Sequence, residues 1–294
     1  MTTQSQPVAI ELLGDQDFQP PANRMAGAGT AGLQELMTDL ERTDRLRRMR
    51  EGTLGSIHSW ELVTAVDGPG TRMTIFLNGC PLRCLYCHNP DTLNMRDGQP
   101  IESDELLRRI KRYRRIFRTT GGGITLSGGE ALMQPAFTAS ILRGAREMGI
   151  HTALDTSGFL GAMATDEMIE DTNLVLLDVK SGDPDTYRKV TGRDLQPTIS
   201  FGDRLAQHGT EVWVRFVLVP GLTDDPDNID RVGRIVEKWP NVSRLEVLPF
   251  HQMAIDKWKN LGMTYTLEDV KPPSVEHVDK VREQLRRFDI AAVM

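Results

Sequence analysis

The stretch GITLSGGE (123–130) contains a short run of β-branched and apolar residues, GITLSG (123–128), that predicts a strand and is followed by a glycine and a carboxylate. Five other short β-branched or apolar runs also predict strands: MTIFLNG (73–79), HTALDT (151–156), LVLLDV (174–179), EVWVRFVLV (211–219) and RLEVLPF (244–250). Helical patterns lie between and after them, near residues 103–117, 135–148, 165–171, 197–208, 227–239 and 275–288. This alternation predicts a parallel sheet with right-handed crossovers.

Polar residues stand at the ends of these strands. Asp155 and Thr156 end one strand, Asp178 ends the next, and His251 follows the last. In a parallel barrel the carboxyl ends of the strands converge on one face, where ligand sites are built. Six strand–helix units over about 240 residues therefore predict an α/β fold, a partial (β/α)6 TIM-like barrel. An open doubly wound sheet is the alternative.

The first part of the chain has a different composition. Residues 4–32 are rich in Gln, Pro, Gly, Ala and Asp with little periodicity, which is typical of disorder. Leu33, Leu36, Met37 and Leu40 recur at helical spacing, and RLRRMR (45–50) is interpreted as a solvated helix end. The sequence predicts a largely disordered extension with a short helix over residues 1–52, and one barrel domain over residues 53–294.

The composition is that of an ordinary globular protein. Hydrophobic residues make up 39% of 294, enough to bury a core, and the net charge of −6 argues against nucleic acid as a bulk partner. No apolar run reaches the roughly 18 residues that span a bilayer, and the N-terminus has no basic segment followed by an apolar one. We expect a cytoplasmic monomer without a membrane or nucleic-acid partner.

The three cysteines, Cys80, Cys84 and Cys87, fall within eight residues in GCPLRCLYCHNP (79–90). An odd, clustered set is a poor disulfide framework and favours metal or redox chemistry. Three thiolates can bind three corners of a four-iron cluster and leave one iron open for another ligand. The alternative is a zinc site completed by His88. It is weakened because His88 directly follows Cys87 and because no second cysteine pair exists.

The spacing C-x-x-x-C-x-x-C is the signature of the radical S-adenosylmethionine (SAM) superfamily. From about Gly55 to the C-terminus, further motifs resemble the activating enzymes of glycyl radical enzymes, most closely the pyruvate formate-lyase type. They are VDGPGTR (66–72), CLYCHNPDT (84–92), GGGITLSGGEALMQ (121–134), LDTSGF (154–159), LVLLDVK (174–180), WVRFVLVPG (213–221), LEVLPFH (245–251) and VKPP (270–273). The resemblance implies an oxidoreductase of anaerobic metabolism.

The resemblance implies that Cys80, Cys84 and Cys87 hold a [4Fe-4S] cluster whose open iron binds the amino and carboxylate groups of SAM. One electron, from flavodoxin or a similar reductant, would cleave SAM to methionine and a 5′-deoxyadenosyl radical. That radical would take a hydrogen atom from a glycine of the partner, pyruvate formate-lyase. The hard chemistry belongs to the cofactor, and the protein positions and shields it.

The resemblance also implies the other site residues. SAM contacts are expected from Tyr86, His88, Gly128, Gly129, Glu130, Asp155, Asp178, Lys180, Arg215 and His251, with Lys180 also assigned to catalysis. A monovalent cation, Na+ or K+, would bind beside SAM through Asp155, Thr156, Leu176 and Asp178. Leu176 stands where relatives have Met, and a backbone carbonyl contact would survive that change.

Several of these residues also have a plainer interpretation. The GGE motif could be an ordinary glycine-rich turn, Asp155 and Asp178 could cap helices, Lys180 could form a surface salt bridge, and His251 could be a packing residue. Arg215 lies in the middle of a predicted strand, so it must face a polar interior or be paired, because unpaired burial of a charge is costly.

The basic stretch RRIKRYRRIFR (108–118) is interpreted as an exposed barrel helix, with a docking surface for an acidic electron donor as the alternative. Two alternatives to a glycyl-radical activase also stay open. One is a radical SAM enzyme that acts on a different protein or a small molecule, and the other is a zinc-binding interaction module without catalysis.

Overall fold

The computed structural model describes residues 42–64 and 67–294. Their strands are β1 (Leu54–Thr64), β2 (Thr71–Leu77), β3 (Gln99–Glu102), β4 (Gly123–Gly128), β5 (His151–Thr156), β6 (Leu174–Asp178), β7 (Glu211–Leu218) and β8 (Val242–Pro249). Their helices are α1 (Arg42–Arg50), α2 (Ser103–Arg112), α3 (Arg114–Thr120), α4 (Pro135–Glu147), α5 (Asp166–Glu170), α6 (Pro184–Thr191), α7 (Gln196–His208), α8 (Pro226–Val236), α9 (Ile255–Asn260) and α10 (Val275–Leu285).

The strands named above form one sheet in the order β3-β1-β2-β4-β5-β6-β7-β8. β2 and β4 to β8 are parallel neighbours, whereas β1 pairs antiparallel with β2 and β3. A doubly wound sheet reverses its strand order part-way along. Here the six parallel strands β2, β4, β5, β6, β7 and β8 are neighbours in chain order, so the order does not reverse. The predicted partial barrel of six parallel strands is confirmed, and the doubly wound alternative is wrong.

The two faces of the sheet differ in chemistry, because successive side chains of a strand point to opposite sides. In β7, Val214 and Phe216 are buried in the main core, which lies between the sheet and its helices. Trp213, on the opposite face, packs beside a small apolar group of Ala153, Leu174 and Leu176. Burial in the main core stabilises the fold by roughly 1.5–3 kcal/mol for each large aliphatic or aromatic side chain.

The C-terminal residues cover the outer edge of β8. Leu245 N donates to Ala292 O at 2.8 Å, and Val247 N donates to Met294 O at 2.9 Å. The end strands of the sheet, β3 and β8, do not pair with each other, so the barrel is open between them. No helix within the described ranges is both long and apolar enough to cross a membrane.

Each predicted strand is present in the structure, but some bounds differ and some elements were not predicted. β4 and β5 have the predicted bounds, whereas β2 begins two residues earlier than predicted, at Thr71, and ends at Leu77. The helix predicted over 103–117 is wrong as a single element: it divides at Tyr113, whose ψ of 0° is not helical and whose ring packs near Trp60 and Phe117.

Four elements of the barrel region were missed: β1, β3, α6 and α9. α6 did carry readable signals, since Asp183 caps it by accepting from Thr186 N at 2.9 Å and Gly192 ends it with a φ of 71°.

The part of the N-terminal prediction that can be compared with structure is the basic run. Residues 45–50 do lie in a helix, α1, which packs against α4 and β1. Arg47 is exposed, whereas Arg48 forms an ion pair with Glu102 at the end of β3. The helix predicted around residues 33–40 lies outside the described residues, and the domain boundary at residue 52 stays a prediction.

Candidate active site

The three cysteines lie in an irregular loop that follows the carboxyl end of β2. Cys80 N donates to Leu93 O at 3.1 Å. Farther along the loop, Arg83 N and Leu85 N donate to Thr191 O and Val190 O, at 2.8 and 3.0 Å. These bonds join the loop to the end of α6. The loop therefore takes its shape from the elements around it rather than from a helix or strand of its own.

All three thiols are free and largely enclosed by protein. Burial is the main cause that raises the pKa of each thiol, to about 12 for Cys87. For Cys84 the nearby Lys180 opposes the rise. Bound iron would replace these protons and compensate for the burial of the sulfur atoms. Three sulfur ligands on one loop thus fit a cluster that binds through thiolates.

The zinc alternative requires four ligands around a single ion. Among residues 42–64 and 67–294, no three His, Cys, Asp or Glu side chains stand together as the ligands of one metal ion. A cluster needs no such group, because it distributes its thiolates over several irons instead of one coordination sphere.

Gly128 and Gly129 bring the end of β4 against the start of the cysteine loop. Gly128 has a φ of 112°, and a Cβ there would lie 2.3 Å from Leu77 N. A Cβ on Gly129 would lie 2.4 Å from Gly79 O. Gly129 N donates to Leu77 O at 2.9 Å. Both glycines are required for this close approach of two backbones, whatever contact they make with SAM.

Glu130 ties the end of β4 to the residues that follow β5. Its carboxylate accepts from Thr156 Oγ1 at 2.6 Å, from Ser157 Oγ at 2.6 Å and from Ser157 N at 3.0 Å. Leu132 N donates to it at 3.2 Å. The side chain is buried, and these four donors occupy both of its oxygens. The structure thus gives Glu130 a positioning role inside the protein, and its predicted contact with SAM stays a prediction.

A row of charged side chains crosses the inner face of the sheet at the strand ends. Ser127 Oγ donates to Asp155 at 2.6 Å, and Arg215 forms ion pairs with both Asp155 and Asp178. Lys180 Nζ then lies 2.9 Å from Asp178 Oδ2. The side chains are 12–21% exposed, so the row faces the interior of the open barrel. The sequence-based expectation that Arg215 is paired is met.

The pKa values of the two aspartates, Asp155 and Asp178, are shifted in opposite directions. Burial raises the pKa of Asp155 to about 7, although Arg215 opposes the rise. Burial also works against ionisation of Asp178, but Lys180 and Arg215 together outweigh it and lower the pKa of that carboxyl. The difference follows from the number of cations beside each group, two for Asp178 and one for Asp155.

Tyr86 lies in the cysteine loop beside this row. Lys180 Nζ is 5.7 Å from the centroid of its ring. The hydroxyl of Tyr86 is buried and has no hydrogen-bond partner in the part of the chain that the structure describes. Such a group costs about 1–3 kcal/mol, and a polar ligand would remove that cost. This position is therefore suited to a bound molecule with hydrogen-bonding groups.

His88 and His251, which are far apart in the sequence, are in contact. Their ring centroids are 4.1 Å apart with an interplanar angle of 36°. His88 belongs to the cysteine loop and His251 directly follows β8, so the pair joins the loop to the last parallel strand. The structure thus places both predicted residues at the same end of the barrel as Cys80, Cys84 and Cys87.

The four residues expected to bind a monovalent cation lie on neighbouring strands. Asp155 is the direct partner of Leu176, and Asp178 is the direct partner of Arg215. Thr156 directs its hydroxyl to Glu130. The guanidinium of Arg215 supplies the positive charge that both aspartates contact. The cation stays a prediction.

Sequence reasoning missed the segment that covers the cysteine loop from the C-terminal side. Trp258 of α9 donates from Nε1 to Cys87 O at 2.9 Å, and Lys257 Nζ lies 2.8 Å from Asp91 Oδ2. A local signal was present in the two aromatic residues of this segment, Trp258 and Tyr265.

Comparison with known proteins identifies the family. The sequence model of the Radical SAM superfamily matches residues 74–231. The chain belongs to this superfamily. It is 42% identical over 235 residues to the pyruvate formate-lyase-activating enzyme of Clostridium pasteurianum. This match covers 80% of this chain and 98% of that protein. It is 39% identical over 237 residues to the pyruvate formate-lyase 1-activating enzyme of Escherichia coli K12, covering 80% and 96%.

A solved radical SAM methyltransferase from Sphaerobacter thermophilus matches 89% of this chain and 85% of its own, with a TM-score of 0.56 and 16% identity. At that identity the likeness supports the radical SAM fold alone. The two relatives at about 40% identity place the chain more narrowly, in the family of pyruvate formate-lyase activating enzymes. Membership of the radical SAM superfamily implies SAM and a [4Fe-4S] cluster as cofactors.

Proposed function

We propose that this chain activates pyruvate formate-lyase by generating a glycyl radical on it. The observation that carries the proposal is the meeting of two features at one end of the barrel. These are the loop of three free cysteines and the charged row that Asp155, Asp178, Arg215 and Lys180 form beside it. The names of the relatives supply the identity of the partner.

When bound, the cluster supplies one electron that cleaves SAM to methionine and a 5′-deoxyadenosyl radical, which takes a hydrogen atom from the partner's glycine and becomes 5′-deoxyadenosine. Cys80, Cys84 and Cys87 would hold the cluster. We assign the charged row to the methionine part of SAM, because that part carries an ammonium and a carboxylate. The aspartates would attract the ammonium, and Lys180 and Arg215 would attract the carboxylate.

Further parts of the proposal concern the cation and the setting of the enzyme. A monovalent cation would join Asp155 and Asp178 if the guanidinium of Arg215 turned toward SAM. We also propose a cytoplasmic monomer that receives its electron from flavodoxin or a similar acidic donor.

The basic stretch 108–118 is not favoured as the docking surface for that donor. α3 ends just before Gly123, which pairs with Arg72 near the start of β2. The cysteine loop follows the opposite end of β2, so the end of α3 lies about 20 Å from it, the length of this strand. The exposed basic faces of two helices, α2 and α3, explain this stretch without a partner.

The experiment is anaerobic reconstitution of the protein with iron and sulfide, followed by SAM, a reductant and pyruvate formate-lyase. We expect a brown protein with absorption near about 400 nm, and the doublet of a glycyl radical in the electron paramagnetic resonance spectrum. 5′-Deoxyadenosine without that doublet would indicate a radical SAM enzyme with another substrate. A colourless protein that binds one zinc ion would contradict both enzyme functions.

A further inference from the structure

The cysteine loop is covered by α9, a short helix that no assigned function explains. The indole of Trp258 in this helix donates from Nε1 to the carbonyl oxygen of Cys87 at 2.9 Å. Trp258 is only 8% exposed, so this hydrogen bond is shielded from water. A bond in such surroundings is stronger than one at the surface, and the carbonyl would be costly to leave without a donor.

The preceding residue holds the next part of the same loop. Lys257 Nζ lies 2.8 Å from Asp91 Oδ2 and 3.5 Å from Asn89 Oδ1. Asp91 is also 3.2 Å from Nε2 of His58, which belongs to β1. Two consecutive residues of α9 therefore bind this segment: Trp258 contacts Cys87, and Lys257 contacts Asp91.

Apolar packing fixes the orientation of Trp258. Its ring lies 5.4 Å from that of Tyr265, centroid to centroid. The same buried cluster contains Tyr86 and Phe250, and Cys87 packs against it. Residues of the loop and of the segment after β8 thus form one small core. This core is separate from the main core between the sheet and its helices.

We infer that Trp258 is a positioning residue for the metal centre: its indole N–H fixes the backbone at Cys87 and so holds the third ligand in place. The inference needs the cysteines to hold a cluster, but it needs neither SAM nor pyruvate formate-lyase. Within the loop, Cys87 N donates to Cys84 O at 3.1 Å. The indole of Trp258 restrains the other backbone group of Cys87, its carbonyl, from outside the loop.

The test is Trp258→Phe in the reconstituted full-length protein, which keeps an aromatic ring but removes the donor. The matched control is Trp239→Phe. Trp239, in the turn after α8, is 3% exposed and donates from Nε1 to Asp203 of α7 at 2.8 Å. Both variants lose one buried indole hydrogen bond, and only one of these bonds contacts the cysteine loop.

We expect iron to be released to a chelator about tenfold faster from Trp258→Phe than from the unchanged protein. The paramagnetic resonance spectrum of the reduced cluster should also change, because the geometry at one ligand has changed. Trp239→Phe should release iron at the rate of the unchanged protein, within about twofold, and keep its spectrum. Iron release from Trp258→Phe at the rate of Trp239→Phe, with an unchanged spectrum in both variants, would overturn the inference.

A second variant separates the hydrogen bond from the packing. Replacing Trp258 by β-(3-benzothienyl)alanine keeps the shape of the side chain and removes only the N–H. Fast iron release in this variant supports the inference. Release at the rate of the unchanged protein would overturn it and assign the effect of phenylalanine to lost packing. If the cluster behaves as expected but no glycyl radical forms, the proposed function fails while the role of Trp258 stands.

Discussion

The Nε atom of Arg215 lies 3.1 Å from Oδ1 of Asp178, and the same guanidinium pairs with Asp155 on the next strand. One cation from β7 therefore satisfies carboxylates from β5 and β6. With Lys180 beside Asp178, the row contains two basic and two acidic side chains. A ligand with one ammonium and one carboxylate can exchange partners with such a row without burying a net charge. The geometry is thus suited to the methionine part of SAM.

Arg215→Met should destabilise the apoprotein by about 2–4 kcal/mol, because it leaves two carboxylates in a protected site with only Lys180 nearby. The free energy of unfolding in urea measures this effect. Arg234→Met, at an exposed position of α8, is the control and should change that free energy by less than about 0.5 kcal/mol. A loss below about 1 kcal/mol at Arg215 would mean that the ion pairs are solvated.

Glu130→Gln should destabilise the protein by about 1–3 kcal/mol. Each carboxylate oxygen accepts a backbone N–H, one from Leu132 and one from Ser157. Whichever way the glutamine amide turns, its NH2 group must face one of these donors. Glu147→Gln, at an exposed position of α4, is the control for urea unfolding. Unchanged stability with a raised KM for SAM would instead support a direct contact between Glu130 and SAM.

Cys84→Ala should abolish iron–sulfur binding and SAM cleavage but leave the barrel folded, because the side chain lies in the loop and not in the main core. The loss of one buried thiol should cost less than about 2 kcal/mol of stability. Iron content, formation of 5′-deoxyadenosine and the circular dichroism spectrum are the three measurements. SAM cleavage by this variant would contradict the assignment of Cys84 as a ligand.

His151→Gln should make the protein less sensitive to acid between about pH 6.5 and pH 4. Burial and the neighbouring Arg72 lower the pKa of His151 to about 4. Its lowered pKa stabilises the fold fully above the unfolded-state value near 6.5, and this contribution is lost as pH falls toward 4. After allowing for partial exposure, the contribution is about 1–2 kcal/mol.

Urea unfolding at several pH values measures this change in slope. His277→Gln is the control, since His277 lies on the surface helix α10 with its side chain 35% exposed. Equal slopes for the unchanged protein and His151→Gln would show that His151 does not limit acid stability.

Local sequence patterns were sufficient to predict those strands and helices that are determined by residues close together in the chain. The runs 123–128 and 151–156 became strands with the predicted bounds because each is an apolar or β-branched segment with turn residues beside it. β1 was missed although it has eleven residues: in LGSIHSWELVT, polar and apolar side chains do not alternate regularly, and both neighbours in the sheet help to fix it. The single helix predicted over 103–117 failed because its periodicity continues through the break at Tyr113.

The sequence by itself determined that three thiols lie within eight residues and that six strand–helix units follow one another, since both properties are local. Only the tertiary structure decided which side chains meet. Arg215 contacts Asp155 across 60 positions, Glu130 contacts Ser157 across 27, and Trp258 contacts Cys87 across 171. Such contacts depend on the register and curvature of the sheet, which bring the carboxyl ends of distant strands to one face. No local pattern specifies them.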